Sequence, residues 1–372
     1  MSKENTIVVG AGVAGLAAAR MLAENGREVT VIEARDRVGG RIHTVHSGDH
    51  VFELGAEFVH GLPSDLWELI HEADLRTEEM DGKQICYQEG RLKDCSFGWE
   101  HDLELLDQLK TWDQPDYTFA QYLDRENVPA ARREHLISYV EGFNAADHRI
   151  IGVAALGKQQ IAEDKIDGDR LFRVCDGYFR VPEFLANKIF TAGSSISLDT
   201  QVQSIAWSPG QVELTCSSGG EFRCIAASNA VITLPLGVLQ QGSVKFLPEP
   251  VNIFHSVQSL RMGHVRRAQL LFRERFWATW ENPTHLSLDE LSFLFDFQHI
   301  PSTWWTQFPS RNACMTAWAG GPCADTLAAL TTVEFRRRMC EQLACMFDTD
   351  IDTIQSLLIG LYSHDWQRDP LS

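Results

Sequence analysis

Hydrophobic positions divide the chain into stretches of different period. Ile7, Val8 and Val9 form a short apolar run, followed by helical spacing through about Asn25, and Gly26 closes that helix. A second run, from Glu28 to Ile32, ends on Glu33, so the order reads strand, helix, strand. Between Leu62 and Glu134 the pattern turns helical and more polar. Leu66, Leu69, Ile70 and Ala73 predict one helix, Leu103, Leu105, Leu106 and Leu109 a second, and Phe119, Tyr122 and Leu123 a third. From Ser195 to Leu239 the period becomes that of strands. Ile196 to Leu198, Val202 to Trp207, Val212 to Cys216 and Phe222 to Cys224 are short, and Ala230 to Pro235 reads as a buried strand returning to the first sheet. Strands are also expected at Ala268 to Phe272, Ser292 to Phe297 and Met315 to Gly321. One long helix should then run from Ala324 to Phe347, with Val333, Phe335, Met339, Leu343 and Phe347 as its apolar stripe.

The turn between the first strand and helix carries the chemistry. It reads Gly10-Ala11-Gly12-Val13-Ala14-Gly15. Gly10 allows the tight turn, Gly12 lets the backbone approach a pyrophosphate, and Gly15 lets helix and strand pack closely. The amides at Val13 and Ala14 would then face the phosphates at a helix N-terminus. Glu33, at the end of the second strand, is placed to accept from ribose hydroxyls and to disfavour a 2′-phosphate. Glycines alone also mark ordinary turns; here they stand in the right order with strand, helix and acid.

The continuation, Glu33-Ala34-Arg35 and then Gly39-Gly40-Arg41, is not explained by nicotinamide binding. With Leu54-Gly55-Ala56-Glu57-Phe58 it resembles the flavin-containing amine oxidase family of monoamine and polyamine oxidases, amino-acid oxidases and flavin histone demethylases. The resemblance implies FAD. Ala34, Arg35, Gly40 and Arg41 would extend the pyrophosphate site, and Leu54 to Phe58 would lie along the flavin ring. The position matching Val202 would read adenine through its backbone, and Trp366, in a Trp-x-x-Asp-Pro pattern, would bring an aromatic ring toward the flavin. Physically, Arg35 and Arg41 can neutralise a diphosphate through planar, multi-donor contacts. Val202 by itself is a strand core residue, and Trp366 reads equally as packing.

The implied fold is α/β. A Rossmann-type FAD-binding domain would be built from residues 1–75 and 187–255, and a mixed α+β substrate domain from 76–186 and 256–372. The implied activity is oxidation of a small-molecule amine (polyamine, monoamine or amino acid) to an imine by hydride transfer to flavin N5, with O2 as acceptor giving hydrogen peroxide. Two other readings stay open. One is a desaturase acting on carotenoid-like or porphyrinogen substrates, and the other a non-catalytic FAD-binding protein.

His60 resembles the histidine of polyamine oxidases and is the candidate polar group on the substrate side; a histidine capping the turn before Gly61 is the plainer reading. Glu57 could offer its carboxylate to an amine or bond to the cofactor's ribityl chain. Ten residues before Trp277, where the family carries a lysine that holds a water against flavin N5, this chain has Arg267. Arginine can orient a water but cannot serve as a base. A catalytic Arg267 and a solvated strand arginine are both open on sequence. Tyr139 and Phe143, four apart, read as core neighbours, although family likeness would put them, with Asp176 to Pro182, at a substrate entrance.

Composition narrows the partners. Of 372 residues, 44% are apolar and 23% charged, which fits a globular chain long enough for about two domains. There are 33 basic residues against 51 acidic ones, a net charge of −18, so nucleic acid is excluded as an expected partner, while cationic amines would be attracted. No apolar run approaches a bilayer span. Nine scattered cysteines without CxxC or metal-like spacing read as reduced thiols in a cytoplasmic protein, no metal site is expected, and Met1 to Asn5 leaves no room for a signal peptide. Family members continue past Trp-x-x-Asp-Pro into a glycine-rich turn and a helix facing the flavin. Because the sequence stops at Ser372, an unmatched strand and an open cofactor face are expected. A fragment, a segment supplied by a second chain, and a remnant without activity are the alternative explanations.

Overall fold

The computed structural model describes residues 5–95, 104–280 and 286–372. Its first unit follows from the opening pattern. Strand β1 (Asn5–Val9), helix α1 (Val13–Glu24) and strand β2 (Glu28–Ile32) form in that order. β1 lies between β2 and the strand Asn229–Ile232, and β2 pairs on its far side with Ser195–Ser197, all in parallel. A parallel strand is covered on both faces, which is why Ile7, Val8 and Val9 are apolar without alternation. On one face Val8, Val29 and Val31 pack under Leu16, Ala19 and Ala23 of α1, joined by Leu185 and Ile189 of the helix Arg180–Thr191. On the other, Ile7, Val9 and Ile32 meet Val202, Ile205 and Leu214 of a four-stranded sheet. That second sheet, in the order Glu221–Ala227, Gln211–Ser218, Gln201–Ser208 and Lys245–Leu247, holds the short strands expected from Val202 to Cys224, while the one expected at Ile196 to Leu198 joins the first sheet.

A seven-stranded sheet builds the other side. Its order is Leu358–Tyr362, Val265–Phe272, Cys314–Gly320, Thr303–Thr306, Leu291–Phe295, Lys83–Gln88 and Arg91–Asp94. Behind it, Phe335, Met339, Leu343 and Phe347 pack into a core with Trp277, Trp304 and Leu270. Three helices, Phe119–Arg125, Ala130–Asn144 and Val153–Asp164, gather around Phe119, Leu123, Leu136 and Val140. Leu105, Leu106 and Leu109 join that cluster, while Leu103 lies outside the described residues, as do Met1 to Glu4. Among the described residues no helix is long and apolar enough to cross a membrane.

Three expectations need correction. The helix expected over 324–347 is two helices, Gly321–Ala328 and Thr332–Met346. Thr331 caps the second through a reciprocal bond with Glu334, which leaves Val333 77% exposed rather than in the apolar stripe. Asn229–Ile232 does return to the first sheet, but as an edge strand with no further strand beside it among the described residues, so Ile232 is not buried. The cysteines are not all free. Cys86, in the strand Lys83–Gln88, and Cys95, one residue past its hairpin partner Arg91–Asp94, come to a Cα separation of 5.2 Å and form a disulfide.

Candidate active site

The glycine turn keeps the geometry that its residues dictate. Gly10 has φ +105°, and a side chain on Gly15 would run into the Gly10 carbonyl. Gly12 differs: its φ is −68°, and an added Cβ would meet nothing within 4 Å. No side chain caps α1, and its first turn, which holds Val13, Ala14 and Gly15, carries no acidic residue. The first-turn amides therefore have no side-chain acceptor, and the Cβ direction of Gly12 is open, an arrangement that suits an anion. Glu33, largely buried, accepts from the Ala11 amide at 2.7 Å and from the Arg35 amide at 2.9 Å, so its carboxylate lies against this turn.

Gly39 and Gly40 carry the turn toward a large cavity. The Gly39 amide donates to the Ala11 carbonyl at 2.8 Å, and a Cβ on Gly40 would come within 3.2 Å of Gly12 Cα. Arg37, which sequence reasoning passed over, holds this loop by donating to the Val38, Gly40 and Ile42 carbonyls. The two arginines expected as a pair have separate surroundings. Arg35 is engaged by Asp369 through two 2.9 Å bonds. Arg41 is exposed in the cavity wall, touches Met262 Sδ at 3.9 Å, and has no ion-pair carboxylate among the described residues. Ala34 lines a separate small recess with Asp199 and Gln201, whereas the Val202 side chain is buried between the two sheets.

The cavity measures about 1830 Å³, more than one small ligand needs. Gly55, Ala56, Glu57, Phe58 and His60 line it, while Leu54 lies behind and accepts from Trp366 Nε1 at 2.7 Å. Gly55 has to be glycine, because a side chain there would strike the Arg41 carbonyl.

Arg267 and Glu57 form a buried ion pair at 2.5 Å, each side chain 2% exposed. Arg267 also donates to the Gly55 carbonyl, and its Nε has no hydrogen-bond partner among the described residues. The solvated-arginine reading fails here, because Val265–Phe272 lies between two other strands and is buried on both faces from Arg267 onward. Glu57 also accepts from Arg173 Nε at 2.7 Å and Trp305 Nε1 at 3.1 Å. Both oxygens are thereby occupied, so this carboxylate is not the free acceptor that sequence reasoning offered to an amine. Burial would raise its pKa, but Arg173 and Arg267 outweigh that and hold it below the ordinary range. Neighbouring Glu53, buried and accepting from the Tyr178 amide and the Thr44 hydroxyl, is pushed up to about 7 by its burial.

His60 faces the cavity, with Phe143 at 5.7 Å between ring centroids, and partial desolvation by the cavity walls lowers its pKa. Tyr139 and Phe143 are stacked at 5.6 Å and line the cavity, with Phe143 42% exposed. They are neighbours, as their spacing predicts, with Tyr139 packed against the helical cluster, and both also reach the cavity. Asp176 to Pro182 does not reach the cavity; Tyr178 and Phe179 bond back to Glu53 and Thr44 and brace the loop behind it. Asp107, Glu163, Asp164, Asp167 and Asp169 form an acidic side of the cavity, with Lys110 held between Asp107 and Asp164. Elsewhere, Glu141, Asp147 and His148 converge within 4.8 Å, a grouping that cysteine spacing could not reveal. Its ligand atoms are already engaged, His148 with Glu141 and Arg149 with Asp147.

The family described as flavin containing amine oxidoreductase matches residues 13–372. The chain belongs to this family. Polyamine oxidase 4 of Oryza sativa subsp. japonica is 27% identical over 317 residues, covering 75% of this chain and 61% of that protein. Lysine-specific histone demethylase 1B of Mus musculus is 27% identical over 301 residues, covering 74% of this chain and 35% of that protein. The chain thus spans less than two thirds of these relatives. A putrescine oxidase triple mutant superposes with a TM-score of 0.82 at 20% identity, over 99% of this chain and 86% of that one. Cyclohexylamine oxidase from Brevibacterium oxydans gives 0.80 at 22%, over 99% and 86%. These likenesses establish the α/β fold of this flavoprotein family.

Proposed function

We propose that this chain binds FAD and oxidises a cationic amine in the cavity between residues 54–60 and the seven-stranded sheet. The observation that carries the reading is the run from the uncapped first turn of α1, through Gly40 packed against Gly12, to Arg41 and Gly55–Phe58 in the cavity wall. These residues fit a dinucleotide. The amides of Val13 and Ala14, with Arg41, would hold the diphosphate, Glu33 the ribose, and Gly55 to Phe58 the ring. Residues 1–75 and 187–255 would form the FAD-binding domain and the rest the substrate domain. When bound, the cofactor supplies the hydride acceptor and, with O2, its own reoxidation to release hydrogen peroxide.

The chain supplies attraction, orientation and desolvation. Asp107, Glu163, Asp164, Asp167 and Asp169 favour a cation at the entrance, in a protein whose net charge is −18. Phe58, Phe143 and Trp305 offer apolar faces that hold a carbon chain and exclude water. His60, neutral at pH 7 because of its lowered pKa, can accept a hydrogen bond from the amine. Arg267 stays charged and fixed, so it orients and does not take the proton. Peroxide release on a panel of polyamines, monoamines and amino acids tests the reading. Peroxide with at least one amine is expected; none from a flavin-loaded chain would overturn it.

A further inference from the structure

We propose that Arg173 is a positioning residue that sets the charge of the cavity wall, acting through Glu57 on Arg267. This rests on the reading that a flavin occupies the cavity. Glu57 carries one negative charge and meets two guanidinium groups, Arg267 at 2.5 Å and Arg173 at 2.7 Å. The three groups therefore sum to one positive charge in a wall that excludes water. Arg173 is itself anchored: Nη1 donates to the Phe308 carbonyl at 3.0 Å and Nη2 to the Thr306 carbonyl at 2.8 Å. Its guanidinium also lies 4.9 Å from the Phe58 ring centroid.

Of the three, Arg267 and Glu57 line the cavity beside Gly55 and Phe58 while Arg173 stands behind them, and the buried Nε–H of Arg267 has no acceptor among the described residues. If Glu57 faced Arg267 alone, the pair would be neutral. With Arg173 satisfying the other oxygen, the charge of Arg267 is left over to act on whatever lies against residues 55–58. A flavin there would then take on negative charge more readily, because the opposing charge is already fixed in a poorly solvated wall.

Sulfite reads this charge without turnover. Its sulfur lone pair forms a bond to flavin N5, the displaced electron pair leaves the ring negatively charged, and the visible flavin band is lost. FAD-loaded wild type, Arg173→Gln, Arg173→Lys and Glu57→Gln would be titrated with sulfite after their spectra confirm bound flavin. Arg173→Gln lowers the wall's charge by one and should weaken sulfite affinity by roughly tenfold or more. Glu57→Gln raises it by one and should strengthen affinity by a similar factor, while Arg173→Lys stays near wild type. A merely structural role would move the two glutamine variants in the same direction. That result, or shifts below about twofold in both, would overturn the proposal. Should Arg173→Gln not fold, Glu57→Gln decides alone: tighter sulfite supports, unchanged or weaker sulfite overturns. A wild type that takes up no flavin would overturn the functional reading instead, and this inference with it.

Discussion

The Arg35 guanidinium meets the Asp369 carboxylate through two parallel hydrogen bonds of 2.9 Å, joining residues 334 positions apart in the chain. Asp369 is held further by the Leu371 amide and His364 Nε2. Burial would raise its pKa, but these bonds, that from Arg35 first, outweigh it and bring the value down to about 2. A depressed carboxylate pKa adds stability above its unfolded value, near 4, and loses it as pH falls through about 2. Asp369→Asn should therefore cost about 1–3 kcal/mol at pH 7, with the difference vanishing toward pH 2. Urea denaturation of both proteins across that range checks it.

The Glu57 pair makes a second prediction. Glu57→Leu leaves Arg267 and Arg173 facing each other in a buried wall without a counter-charge. Its cost should be about 3–5 kcal/mol, whereas Glu57→Leu combined with Arg267→Met should recover much of that loss. Denaturation midpoints of the single and double variants decide the matter.

Gly12 and Gly15 should separate binding from folding. An aspartate at Gly12 meets open space and caps a helix well, so Gly12→Asp should leave stability unchanged or slightly raised while its charge abolishes FAD uptake. Gly15→Ala, against the Gly10 carbonyl, should destabilise the chain by about 1–3 kcal/mol. Thermal melts alongside flavin content per chain provide the check.

His60→Ala should raise KM for the amine by roughly tenfold with little change in kcat, as expected for a group that holds substrate and does no chemistry. Because burial lowers the His60 pKa, wild-type KM should stay flat as pH falls through 6.5 and rise only below that. Steady-state kinetics against pH would show it.

How much of this was legible depends on the distance between partners. The β1–α1–β2 unit is local, and each glycine has its own backbone reason, so spacing alone placed it. The same holds for the strands from Gln201 to Ala227. Arg267 could be located by counting back from Trp277, but its burial could not, since that depends on which strands flank it. Arg173 was invisible because it reaches Glu57 across 116 positions, and Asp369 was noted only as part of a motif. The break before Thr332 did have a signal: Thr331 followed three residues later by Glu334 is a capping box inside an apparently continuous stripe.

The most direct measurement is the visible absorption spectrum of the purified, FAD-supplemented chain without oxygen, before and after amine is added. A bound flavin band that bleaches on adding an amine is the expected result. A well-folded chain that stays colourless, refuses FAD and instead takes up a nicotinamide nucleotide would contradict it.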